Sequence, residues 1–169
     1  MLDARRDSEV STSIVERIDL GPLSILDNPA NLAGVNSWPS YVPDGCPPPD
    51  APEASGDVYR LIKGDSPSPD DFLPKVLEEP DGDFTGKECM AAGLSVYRKK
   101  KDLARLLTLP TFKGKAWQVA RATLSPAVGR LKPTPPRKIR NSHHTWWWPE
   151  GVDPTQLFVL DEPTPAGAS

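Results

Sequence analysis

The chain is poor in the residues that most often carry chemistry. Two cysteines, Cys46 and Cys89, and two histidines, His143 and His144, occur in 169 residues. The cysteines form no paired Cys-x-x-Cys and no spacing typical of a disulfide framework. Both thiols are therefore expected free, in a reducing cytoplasm; one bridge is possible, with no spacing argument behind it. Neighbouring imidazoles rarely reach one ion, and no cysteine or acidic cluster lies near them in sequence, so no metal site is expected. No run of 18 apolar residues exists, which excludes a spanning helix and with it a membrane-embedded role. Residues 1–7 lack the apolar stretch of a secretory leader, which again favours the cytoplasm. There is no Gly-rich phosphate loop, no Gly-x-Ser-x-Gly elbow and no HExxH, and no helix-turn-helix, zinc-finger or RNA-recognition signature. The best-known hydrolase and metalloprotease designs are thereby excluded, and no cofactor is implied by motif.

Proline is what the chain has instead: 21 of 169 residues, against an average of roughly 5%. Eight of them fall in residues 1–55, including Pro47-Pro48-Pro49. This stretch reads as an arm, partly docked or disordered, with one short helix at Ser11–Ile18. Its leucines and isoleucines, among them Leu20, Leu23, Ile25 and Leu26, favour partial docking.

A compact domain is expected over residues 56–160, with a frayed tail at 161–169. Asp57–Lys63 and Gly93–Tyr97 read as strands. Asp102 is placed to cap a helix running to Leu109, with Leu103, Leu106 and Leu107 on its apolar face. Alternation over 115–124 predicts another strand, and Ser125-Pro126 a turn into a return strand at Val128–Leu131. Pro133, Pro135 and Pro136 force a loop, and Gln156–Leu160 reads as the last strand. The fold class is α+β: a small mixed or antiparallel sheet of four to six short strands with one or two helices.

Charge is segregated along the chain. Residues 1–90 hold 7 basic and 18 acidic residues, whereas residues 98–140 hold 13 basic residues and one acid, Asp102. The net charge of −3 describes neither segment. A basic face built from Lys99, Lys100, Lys101, Arg137, Lys138 and Arg140 would suit an anionic partner, either nucleic acid or an acidic protein surface. Alternatively, Asp70, Asp71, Glu78, Glu79, Asp81 and Asp83 fold back and neutralise the block.

Directly after the basic block stands His143-His144-Thr145-Trp146-Trp147-Trp148. Three consecutive tryptophans are costly to expose. In a strand, neighbours point to opposite faces. One reading gives Trp146 and Trp148 to stacking or apolar contact with a partner, beside His143 and His144. The other puts Trp147 in the core and packs Trp146 and Trp148 beneath the proline-rich arm.

One further arrangement combines Tyr59-Arg60 on an early strand, Gly93-Leu94-Ser95-Val96-Tyr97 on a later strand followed by a helix, and a final aromatic segment ending in Pro149-Glu150. It resembles the NAD-using ADP-ribosyltransferase-like fold, including its small toxin-type members. The resemblance implies NAD as cofactor, Arg60 as a dinucleotide contact, Ser95 or Tyr97 shaping the nicotinamide pocket, and Glu150 as the acid that stabilises an oxocarbenium-like transition state. The main expectation is a small binding protein using a basic, aromatic-containing surface over 98–148. The alternatives are that transferase, and an adaptor working through the proline-rich arm.

Overall fold

The computed structural model describes residues 37–136 and 141–161, and the statements that follow concern those residues. The expected helix at Ser11–Ile18, the cations Arg137, Lys138 and Arg140, and most of the tail lie outside them.

Six strands form one antiparallel sheet: β1 (Gly56–Lys63), β2 (Leu94–Tyr97), β3 (Trp117–Leu124), β4 (Arg130–Pro133), β5 (His143–Trp147) and β6 (Val159–Leu160). Their spatial order is β4-β5-β2-β1-β3-β6. Four short helices accompany them: α1 (Lys75–Glu78), α2 (Glu88–Ala91), α3 (Lys100–Leu106) and α4 (Pro154–Leu157). The protein is α+β as expected, with four helices in place of one or two. Three of the four are single turns, too short for a 3.6-residue period to show in sequence.

Every second residue of the strands feeds the main core. Val58 and Ile62 of β1, Leu94 and Val96 of β2, and Ala120, Ala122 and Leu124 of β3 are buried on one face. Phe72 and Phe158 close that face from outside the sheet, their rings 5.0 Å apart. On β3 the small residues face this layer, while Trp117 and Val119 take the other face. Trp146, Trp148, Phe72 and Phe158 already supply the layer with volume. Helix α3 packs against β1 and β2 with Leu103 buried.

Several expectations are corrected. The helix begins after Lys99 with no side-chain cap, and Asp102 serves another purpose described below. The helix stops at Leu106, short of the Leu109 the pattern suggested. Segment 156–160 is not one strand: it holds the end of the helical turn α4, capped by Asp153 accepting from Thr155 N, then Phe158 and the two-residue β6. The expected hairpin across Ser125-Pro126 does not form. Strand β3 pairs with β1 along Gly56↔Leu124 to Lys63↔Trp117, whereas β4 pairs with β5 at the other end of the sheet. A 3-10 turn at Pro126–Val128 and Gly129, at φ 115°, redirect the chain there. A Cβ at Gly129 would fall on the Trp147 carbonyl.

The described part of the arm is built into the domain. Ala54 N donates to Gly129 O (2.8 Å), Leu131 N donates to Pro52 O (3.0 Å), and Glu53 bridges Arg130. Residues 52–54 thus cover the edge of β4, where unpaired backbone would otherwise be open. The cysteines are not free: Cys46 and Cys89 form a disulfide with a Cα–Cα distance of 5.4 Å. Their separation of 43 residues obeys no short spacing rule, so only the fold brings them together. No helix among the described residues is long and apolar enough to cross a membrane.

Candidate anion-binding site

The site lies where β2 ends, β5 begins and α3 starts. Tyr97 and His143 are register partners, and their rings meet edge to face at 5.2 Å. Beyond this pair, Ser142 ties three elements together. Its carbonyl accepts from Arg98 N at 3.0 Å, and its hydroxyl accepts from Lys99 N at 2.9 Å while donating to Asp102 Oδ2 at 2.5 Å. Ser142 N also donates to that carboxylate at 2.8 Å. These Ser142 bonds, helped by Lys101 and Lys99, hold the Asp102 carboxyl below the usual carboxylate range. Asp102 therefore stays ionised and fixes the start of β5 to α3.

Lys99, Lys101, Asp102, Arg105, Asn141 and Ser142 line an open depression of about 480 Å³. Lys101 and Arg105 are four residues apart, so the helix presents them on one ridge. Like charges at that spacing destabilise an isolated helix by about 0.2–0.5 kcal/mol. Neither they nor Lys99 has an ion-pair partner among the described residues. Burial, and then the charge of Asp102, raise the pKa of the Tyr97 hydroxyl.

Both imidazoles are locked in one tautomer. His143 Nδ1 lies 2.8 Å from Thr134 O, and His144 Nδ1 lies 2.9 Å from Ser142 O. A carbonyl only accepts, so each Nδ1 carries the proton and each Nε2 keeps a lone pair. Burial is the main cause that lowers both pKa values, so both rings are neutral near pH 7.

The rest of the basic block is dispersed. Lys100 pairs with Asp161 at 2.5 Å, with Arg121 4.0 Å from the same carboxylate, and Lys132 pairs with Asp50 at 2.6 Å. Arg98 Nη1 donates to Asp57 O at 3.0 Å. Lys100 is thereby withdrawn from the expected basic face, while Lys99 and Lys101 stay in it. Neutralisation comes from Asp50 and Asp161, not from the acidic stretch expected to fold back. There Asp71 accepts from Lys63 N and from Ser68, Glu78 and Glu79 hold Lys75, and Asp83 accepts from Thr85.

The tryptophans are not part of the site. Trp146 and Trp148 are buried in the main core with ring centroids 4.9 Å apart, and Trp146 Nε1 donates to Val128 O at 2.9 Å. Stacking on a partner by Trp146 or Trp148 is corrected accordingly. Trp147 lies on the opposite face, also buried, its Nε1 donating to Cys89 O at 2.7 Å. The alternative placement is thus reversed: the middle tryptophan lies by the disulfide and the outer two fill the main core.

Of the four residues singled out by the family resemblance, only Arg60 and Ser95 touch, through the Ser95 carbonyl; the Ser95 and Tyr97 side chains lie on the opposite face of the sheet from Arg60. Strands β1 and β2 share one registered pair, Tyr59↔Tyr97, and Arg60 bridges the junction. Its Nε donates to Asp71 O (2.6 Å) and its Nη1 to Ser95 O (2.7 Å). Burial pushes the Arg60 pKa down to about 10, which leaves it cationic at neutral pH. Ser95 presents its carbonyl to Arg60, and its side chain is exposed on the Tyr97 face. Glu150 does not join them. It follows the far end of β5, where its N–H donates to Ser37 O (2.8 Å) and its carboxylate accepts from Ser37 Oγ (2.9 Å). Strand β5 alone puts roughly 13 Å between that end and His143.

Arg105 is the site residue most readable in sequence, four residues beyond Lys101 on an expected helix. Asn141 and Ser142 carry no such signal, because strand pairing alone brings them to Lys99. No protein family, curated protein or solved structure matches this chain. Its function therefore rests on its own geometry.

Proposed function

We propose that the protein binds a phosphate-bearing partner, a nucleic acid, in the depression at the start of α3. The observation that carries this reading is the trio Lys99, Lys101 and Arg105 around one concave surface, none of them in an ion pair among the described residues, with Asp102 the single acid in the lining. Cations neutralise phosphates. An acidic protein surface would meet the same three cations, and the oligonucleotide test below separates the two partners.

Fluorescence anisotropy with short single- and double-stranded oligonucleotides tests it. Three phosphate contacts to a single strand predict a log–log salt slope of about −2, or roughly a 20-fold loss of affinity between 50 and 200 mM salt. Replacing Lys99, Lys101 and Arg105 together by Gln should abolish binding without moving the melting temperature. Absence of binding at 50 mM salt ends the nucleic-acid version.

A second reading, NAD-dependent ADP-ribosyl transfer, rests on Arg60, a cation at the β1–β2 junction whose Nη1 donates to the Ser95 carbonyl. NAD is itself a phosphate-bearing dinucleotide. Glu150 has no part in this reading. Labelled NAD incubated with cell lysate, beside an Arg60→Lys variant checked for folding, tests it; no label transfer and no NAD loss count against it.

The Cys46–Cys89 bridge supports an oxidising compartment rather than the cytoplasm expected from sequence. Thiol counting by mass on protein taken from its source checks this: two free thiols would return the protein to a reducing environment.

A further inference from the structure

A second concave surface includes Cys46 of the disulfide. Trp38, Pro47, Pro48, Pro49 and Arg130 form its walls, with Gly45 and Cys46, around about 290 Å³. That is the lower end of the small-ligand range of about 300–1,000 Å³. It has room for one apolar side chain and a small polar group, and none for a folded domain.

Its chemistry is an aromatic and proline wall with a single cation. Arg130 Nη1 makes one long bond, 3.3 Å to Ala51 O. No carboxylate pairs with Arg130 among the described residues, although Glu53 bridges its backbone. A guanidinium has five N–H donors in a planar fork that matches a carboxylate, so most of its capacity is unspent. Trp38 and the prolines present flat apolar faces of the kind that pack against a side chain.

We infer that this depression binds the free C-terminus of a partner peptide whose last side chain is apolar. A terminal carboxylate stands on the backbone directly beside the final side chain, so Arg130 and the Trp38–proline wall are reached together within this small volume. An internal acidic side chain would carry its charge away from the apolar contact. The wall is anchored by the Cys46–Cys89 bond, so the site belongs to the oxidised protein. It is independent of the α3 depression, and the nucleic-acid reading neither supports nor weakens it.

The test is anisotropy of N-terminally labelled hexapeptides with the last two positions varied, each as free acid and as amide, on the intact chain. Acids ending in Leu, Phe or Pro are expected to bind about tenfold or more tightly than their amides, since a hydrogen-bonded charge is lost with the amide. Arg130→Gln is expected to remove the acid preference while its melting temperature and oligonucleotide binding hold. Reduction of the bridge is expected to remove peptide binding and leave oligonucleotide binding in place. Equal affinity for acid and amide, equal affinity before and after reduction, or no binding by any free acid in the panel at about 1 mM would each overturn the proposal.

Discussion

Replacing both Cys46 and Cys89 by Ala is expected to cost about 4 kcal/mol of stability, the largest loss expected from any change outside the main core. The bond closes a loop of 43 residues in sequence separation, and cross-linking a loop of that size removes about 4 kcal/mol of chain entropy from the unfolded state. For a domain of about 120 residues this corresponds to roughly 15 °C in melting temperature. The native side adds to the effect. Cys89 O accepts from the Trp147 indole, and Cys46 begins the proline segment that leads to the Pro52–Ala54 contacts on β4. Loosening one end therefore loosens the cover of a buried tryptophan and of a sheet edge. Guanidinium unfolding of the oxidised protein and of the double variant measures it. A difference below about 1 kcal/mol would mean that the remaining contacts hold residues 37–54 without the bond.

That bond marks the limit of what the sequence discloses. Strand β3 was legible because it alternates, and a period of two needs no knowledge of partners; β1 and β2 were legible as short runs of strand-forming residues. Pairing is another matter. Val128–Leu131 looked like the return arm of a hairpin, but β4 has its partners in β5 and in residues 52–54, all distant in sequence. A positive φ at Gly129 turns the chain away from β3, and sequence alone does not fix the sign of a glycine φ. The same holds for the site. Lys99 and Lys101 are visible only as part of a run of cations ahead of an expected helix, and Arg105 was not singled out; the choice between open and paired cations depends on Asp50 and Asp161. These reach Lys132 and Lys100 only through the fold. Charge segregation along the chain was real; charge neutralisation in space followed different residues.

Trp146→Ala is expected to destabilise by about 3–5 kcal/mol, the usual cost of truncating a buried aromatic. Trp146 is 0% exposed and sits between Leu94 and Leu131 in the register of β2, β5 and β4. Its ring lies 4.9 Å from Trp148 and 6.0 Å from Phe158, so truncation opens a void at the centre of the layer. The Val128 carbonyl would also lose its donor. Against a typical total of about 5–15 kcal/mol, such a loss leaves a marginal fold or none. Trp146→Phe keeps most of the volume and is expected to cost less, chiefly through the unpaired carbonyl. The comparison separates core from contact surface. If the aromatic run served a partner, Trp146→Ala would melt like the parent protein and lose only binding. Because it serves the core, its unfolding midpoint falls, while the Lys99, Lys101 and Arg105 substitutions lower binding and leave the midpoint where it was. Chemical denaturation followed by tryptophan fluorescence, run beside oligonucleotide anisotropy on both variants, decides between the two patterns.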